Sequence, residues 1–332
     1  MKTVKVGILT EGSNSIGFGH ITRCLSLYQA FKKKNIKPKF FINGDDSIIE
    51  LIKDTNFEVI DWLKMRKEVF DKLKDFDIVI IDSYLADKEF YDELSKLVKL
   101  PVYMDDNKRI DYPKGVVING NIHAKELNYP KKDGVIYLLG TEYTPLRKEF
   151  WDVPEKTIRE KVQSVMITFG GEDAKNMTPK ILRLLSENYP ELKKNVVIGK
   201  GFRNIEDIKA VADKNTNLIY YPDAEGMKQI MFDADIAISA GGQTLYELAR
   251  VGVPTIAIAI ADNQLGNVRT FEKLKIIKFV VWWEHIDKIN IDGFQEQELR
   301  KKISKKMQEL IDGNGSRRII KNLIKSYEVI NE

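Results

Sequence analysis

Short apolar runs rich in Val, Ile and Phe alternate along the chain with segments in which apolar residues recur every three or four positions. Runs of the first kind read as strands buried on both faces, and segments of the second kind as amphipathic helices laid over a sheet. Strands are predicted at 4–9, 38–43, 57–60, 77–82, 101–104 and 116–118, and a second series at 165–169, 195–198, 217–221, 235–239, 254–259 and 277–282. The first helix begins near His20, where Ile21, Cys24, Leu25, Tyr28 and Phe31 share one face. Helices at about 175–188, 204–214, 224–232, 243–251 and 264–274 separate the strands of the second series. The stretch 141–161, with Pro145, Pro154 and many charges, loses the periodicity and reads as a linker. Strand and helix alternate without any solenoid repeat, which predicts two consecutive α/β domains, each a doubly wound parallel sheet. They take up 1–145 and 160–312, and a C-terminal helix over 313–332 is left to pack back on the first domain. A chain of 332 residues exceeds the size at which a single core stops growing, in keeping with two domains.

Composition narrows the class without naming a chemistry. Hydrophobic residues at 43% and charged residues at 31% fit a folded soluble protein, and no apolar run approaches the ~20 residues of a membrane span. The N-terminus runs straight into a strand pattern and lacks the features of a signal peptide, so the expectation is a cytoplasmic protein without a membrane partner. The single cysteine, Cys24, excludes an intrachain disulfide and a cysteine zinc site, and reads as a small buried hydrophobe. A net charge of +4 with interspersed lysine and glutamate shows no nucleic-acid footprint.

In open α/β sheets ligands bind beyond the carboxyl ends of the strands, so the loops after the strands are where chemistry is sought. The loop from Thr10 to His20 holds three glycines, Gly12, Gly17 and Gly19, at a spacing unlike the dinucleotide fingerprint. His20 stands where the first helix starts. The partial positive charge of a helix N-terminus disfavours imidazolium, so His20 reads either as a base that is neutral near pH 7 or as a cap. Asp82 and Tyr84 follow the fourth strand as site candidates, or as an ordinary capping and packing pair. Asp105 and Asp106 follow the fifth, where paired acids hold a divalent metal or simply cap and pair. In the second half, Gly170-Gly171-Glu172-Asp173 and Gly241-Gly242-Gln243-Thr244 each stand where a strand gives way to a helix, an arrangement whose amides suit a diphosphate. Glu247 lies one turn into the second of these helices, placed for ribose hydroxyls, and Asp262-Asn263-Gln264 form a third loop.

Taken together, Gly17-Phe18-Gly19-His20 with Arg23, Asp82-x-Tyr84, Phe169-Gly170-Gly171-x-Asp173, Ser239-Ala240-Gly241-Gly242-x-Thr244-x-x-Glu247, Gly252-x-Pro254 and Asn263-Gln264 resemble the UDP-sugar hydrolases of the pseudaminic acid pathway. These belong to the MurG-like branch of the GT-B fold. The resemblance extends over most of the chain and implies two Rossmann-like domains with an interdomain cleft, acting on a UDP-linked 2,4-diacetamido-2,4,6-trideoxyhexose. Water attacks the anomeric carbon and UDP leaves, without a metal or other cofactor. Carried over, His20 is the general base, and Tyr84 and Asn263 position the sugar or the water. Gly241, Gly242 and Thr244 hold the diphosphate, Glu247 the ribose, and uridine lies near 221–227. Gly17, Gly19, Arg23, Asp82, Gly170, Gly171, Asp173 and Gln264 complete the substrate site. The C-terminal motifs are shared with UDP-sugar glycosyltransferases, which remain the alternative. The only partner implied is the UDP-sugar, with the chain a monomer or weak oligomer.

Overall fold

The structure, a computed structural model, describes residues 4–13, 17–277, 280–286 and 289–331. The chain divides into two compact units, Met1–Lys148 with Asn314–Glu332, and Glu149–Gly313. In the first unit the strands are β1 (Val6–Gly12), β2 (Lys39–Gly44), β3 (Asn56–Val59), β4 (Ile78–Asp82), β5 (Leu100–Met104), β6 (Gly115–Asn119) and β7 (Val135–Leu139). They lie in the order β3-β2-β1-β4-β5-β6-β7, and every neighbouring pair is parallel. β1, β4, β5 and β6 are buried along their whole length, because helices cover both faces. One side of this core is strongly aromatic, with Trp62, Phe90, Tyr91 and Tyr103 packed on Leu9, Phe41 and Ile81.

The second unit contains β8 (Ser164–Thr168), β9 (Lys193–Ile198), β10 (Thr216–Tyr220), β11 (Ile236–Ala240), β12 (Thr255–Ala259) and β13 (Val280–Trp282). Their order is β10-β9-β8-β11-β12-β13, again all parallel. In both sheets the chain winds outward from the first strand and then returns to its other side. The topological switch point therefore lies between β1 and β4 in the first unit and between β8 and β11 in the second. The register sets Thr10 beside Asp82, and Thr168 beside Ser239, at the carboxyl ends of these strand pairs.

Three features differ from the pattern reading. β7 was not predicted: it is the sheet edge, half-exposed along most of its length, so its run lacks the continuous apolar character of its neighbours. The strand expected at 277–282 is described only as Val280–Trp282, and 278–279 lie outside the described residues. The stretch read as a linker is packed rather than loose. Phe150 is fully buried, and Arg250 donates from Nε to the Phe150 carbonyl and from a terminal nitrogen to those of Trp151 and Val153. Its proline and charge content hid anchoring that comes from backbone carbonyls. The helix Gly315–Ile330 is grouped with the first unit, where Ser316 Oγ donates to the Leu146 carbonyl and the Tyr327 hydroxyl to Asp77. Among the described residues no helix is long and apolar enough to cross a membrane.

Candidate active site

The switch point of the first sheet gathers His20, Arg23, Asp82 and Tyr84 with Asp106, which pairs with protein donors, and with Asn121, which the sequence does not single out. β1 ends at Gly12, and the chain turns through Gly17, at φ 86°, a left-handed conformation that glycine adopts without steric cost. It then enters the helix Gly19–Lys32, whose second residue is His20. Three positions on comes Arg23, one helical turn away and so on the same face. Asp82 is the last residue of β4, next to β1, so parallel pairing brings its carboxylate under that face.

His20 Nδ1 lies 2.7 Å from Asp82 Oδ1. Arg23 donates to the same carboxylate from Nε at 2.8 Å and from a terminal nitrogen at 2.6 Å, and its other terminal nitrogen reaches Asp106 Oδ1 at 2.5 Å. Asp82 is almost wholly buried, with a side-chain exposure of 1%. Burial works against its charge, but Arg23 and His20 more than offset that, and the carboxyl is held well below the usual carboxylate range. An ionised carboxylate only accepts, so His20 presents Nδ1–H to it and keeps Nε2 as its basic nitrogen. The 3.5 Å approach of Arg23 to Nδ1 is then a packing distance between two donors. The Tyr84 ring stands edge-on to the imidazole, with centroids 4.7 Å apart at 89°.

This geometry corrects one expectation. Burial lowers the His20 pKa, as a helix N-terminus would, but the charge and hydrogen bond of Asp82 outweigh it, and the pKa is raised above its ordinary value. The side chain caps no helix: its described partner is a carboxylate, not a backbone amide. Asp105 and Asp106 meet protein donors. Asp105 accepts from the amides of Asp106, Asn107 and Arg109 and from the Tyr129 hydroxyl, while Asp106 accepts from Arg23, Tyr84 and Asn121. Behind Tyr84, the buried Glu11 of β1 accepts from the Ser83 hydroxyl at 2.5 Å and the Tyr84 amide at 2.7 Å, fixing the loop after β4. Glu11 and Asn121 were missed because a glutamate within a strand and an Asn-Gly-Asn turn look ordinary. Asn121 follows a strand like the residues that were found, which is the signal that pointed to it.

In the second unit the switch point brings Gly170 and Gly171, after β8, to the same end of the sheet as Gly241 and Gly242, after β11. Gly242 caps the helix Gln243–Val251, whose first turn contains Thr244 and whose buried Glu247 follows one turn in. Within its first turn the Leu245 amide closes on the Gly242 carbonyl at 3.0 Å. The Gly241 amide is shared between the Ile258 carbonyl and Gln264 Oε1, both at 3.2 Å, so it is spent inside the protein. Glycine is required there by space, since a Cβ would stand 2.3 Å from Val268 Cγ2. Gln264 also accepts from the Ile260 amide at 3.1 Å, so its carbonyl ties two loops together. The Asp173 carboxylate accepts from the Met177 and Thr178 amides, at the start of the helix Met177–Asn188, and from Asn204 Nδ2. Asn263 is exposed in the first turn of the helix Asp262–Lys273.

Comparison with known proteins fits these two sheets. Residues 164–321 match the glycosyltransferase family 28 C-terminal domain. The chain is 26% identical to the spore coat polysaccharide biosynthesis protein SpsG of Bacillus subtilis over 80% of each protein. It is 28% identical, over 83% of its own length, to a Helicobacter pylori protein named as pseudaminic acid cytidylyltransferase and UDP-2,4-diacetamido-2,4,6-trideoxy-beta-L-altropyranose hydrolase. A Campylobacter jejuni protein named as that hydrolase alone is 24% identical over 79% of this chain and 93% of its own. The chain spans 48% of the Helicobacter pylori protein and 55% of an uncharacterised Methanocaldococcus jannaschii relative. Among solved structures, Acinetobacter baumannii MurG superposes with a TM-score of 0.66 at 16% identity, covering 97% of this chain and 99% of that one. Staphylococcus aureus MnaA with UDP superposes at 0.69 and 12% identity, covering 98% and 97%. The chain is thus similar in sequence to SpsG and to proteins named as UDP-diacetamido-trideoxy-altropyranose hydrolases, its residues 164–321 match the glycosyltransferase family 28 C-terminal domain, and its two parallel sheets have the GT-B fold of MurG.

Proposed function

We propose that this chain hydrolyses a UDP-linked 2,4-diacetamido-2,4,6-trideoxyhexose to the free sugar and UDP. The observation that carries the reading is the His20–Asp82 pair at the switch point of the first sheet, a histidine whose Nδ1 is engaged by a buried carboxylate and whose Nε2 is left as a base. In the proposed reaction a water oxygen forms a bond to the anomeric carbon while the bond from that carbon to the β-phosphate oxygen breaks. The water proton passes to His20 Nε2, and the bonding electron pair leaves with UDP. Asp82 stabilises the imidazolium as it forms, the role a carboxylate plays behind the histidine of a hydrolytic triad. UDP needs no acid to help it leave when amides balance its charge. That role falls to the loops of Gly170, Gly171, Gly242 and Thr244, with Glu247 on the ribose and Asn263 on the sugar or the water.

The names of the relatives support a nucleotide-sugar enzyme, and the family 28 match keeps a UDP-sugar glycosyltransferase as the alternative. Incubation with a panel of UDP-sugars, followed by mass spectrometry of the products, separates the two. Release of UDP and free sugar without an acceptor supports hydrolysis, whereas release only when an acceptor alcohol is added assigns the chain to transfer.

A further inference from the structure

Asp106, just past the carboxyl end of β5, joins the helix Gly19–Lys32 to the loops after β4 and β6. Its carboxylate accepts from Arg23 at 2.5 Å, from the Tyr84 hydroxyl at 2.5 Å and from Asn121 Nδ2 at 2.8 Å, donors that follow β1, β4 and β6. Burial opposes its charge, but Arg23 outweighs burial and holds the carboxyl below the usual range. An ionised carboxylate only accepts, so the phenolic proton of Tyr84 is committed to Asp106 and the Tyr84 oxygen meets a ligand with lone pairs.

We propose that Asp106 is a positioning residue for the reaction: it fixes Tyr84 as the acceptor for the second hydrogen of the attacking water, and with Asp82 it balances the imidazolium formed when His20 takes the first. The proposal rests on the hydrolase reading for its water. It does not rest on it for its charge balance. The charged groups facing His20 are Asp82 from the end of β4, Arg23 from its own helix, and Asp106 from the loop after β5, reached through Arg23. Two carboxylates and one guanidinium sum to one negative charge while the imidazole is neutral, and to none once it is protonated. Proton abstraction thus neutralises a buried cluster, which favours the step where uncompensated charge is costly. A water whose two hydrogens are both held by acceptors also has its two lone pairs directed, the kind of orientation that lowers a barrier through geometry.

The test is Asp106→Asn, which keeps the shape and removes the charge. Two readouts are needed: the NMR titration of the His20 imidazole in the free protein, assigned with His20→Asn, and kcat and KM for UDP release across pH. The titration midpoint should move down, the acidic limb of the rate should move with it, and kcat should fall more than about tenfold with KM changed less. An unmoved midpoint in the folded variant overturns the proposal, whatever happens to kcat. Tyr84→Phe, which retains both carboxylates, supplies the arm that survives if Asp106→Asn does not fold. It should lower kcat while the His20 midpoint stays above about 6.5, and a wild-type kcat overturns the assignment. If the wild-type protein hydrolyses no UDP-sugar, the hydrolase reading fails by itself, and the His20 midpoint in Asp106→Asn still decides the charge balance.

Discussion

Replacing Asp82 with asparagine removes the charge that pairs with His20 while keeping the side-chain shape. The carboxylate is buried, 2.7 Å from His20 Nδ1, and it accepts two hydrogen bonds from Arg23. Breaking a buried ion pair by removing one partner costs about 3–5 kcal/mol. Arg23 retains Asp106, so the loss is expected near the lower end of that range, about 3 kcal/mol. The loss also depends on pH. The His20 pKa is raised in the folded protein, so its contribution is fully present below the unfolded value of about 6.5 and is lost as pH rises through the folded value. The Asp82 pKa is depressed, so its own contribution is present above the unfolded carboxylate value of about 3.9 and is constant across this range. Urea unfolding should therefore show a larger penalty for Asp82→Asn near about pH 6 than near about pH 8.5. In catalysis the asparagine amide can donate to Nδ1 and select the wrong tautomer, and the rate should fall by roughly 10²–10⁴. A penalty that is flat with pH, or a rate within about tenfold of wild type, would refute the pairing argument.

His20→Asn should lower kcat by about 10²–10⁴ with UDP affinity preserved in calorimetry. In the wild type the acidic limb of kcat/KM should lie above about 6.5, because Asp82 raises the His20 pKa, and the variant should lack that limb. Glu247→Gln should weaken UDP binding by about 0.5–3 kcal/mol, and UDP should bind more tightly than GDP or ADP; calorimetry giving equal affinities for the three would remove the uridine assignment. Turnover should survive treatment with a chelator, since in the proposed reaction helix N-termini and amide loops balance the diphosphate. Activity lost to chelation and restored by magnesium would bring a metal into the mechanism.

The two sheets are legible in the sequence because a parallel strand covered on both faces is apolar along its buried run, as Ile78–Asp82 is until its last residue and Ser164–Thr168 is between its two ends. The same logic singled out His20, Asp82 and Tyr84, since ligands in such a sheet bind where apolar runs stop, and the structure brings the three side by side. It failed at the edge, where β7 is half-exposed, and over 149–161, where anchoring runs through backbone carbonyls that no side-chain pattern records. It also failed for the electrostatics of His20. The helix N-terminus is a local cause visible in the sequence, but the carboxylate that outweighs it lies 62 residues further on and reaches the imidazole only through the pairing of β1 with β4. The glycine pair 241–242 reads as a phosphate loop, yet the Gly241 amide is claimed by Gln264, whose side chain is 23 residues away in sequence.

The central claim is that water, and not an alcohol, attacks the anomeric carbon of a UDP-sugar. It is tested most directly by incubating the protein with UDP-2,4-diacetamido-2,4,6-trideoxyhexoses in oxygen-18 water, without an acceptor, and weighing both products. UDP should accumulate together with free sugar, and the UDP should carry no heavy oxygen, because the bond that breaks is the one between the anomeric carbon and the phosphate oxygen. Heavy oxygen in the β-phosphate of UDP, or no UDP until an acceptor is supplied, would contradict the account.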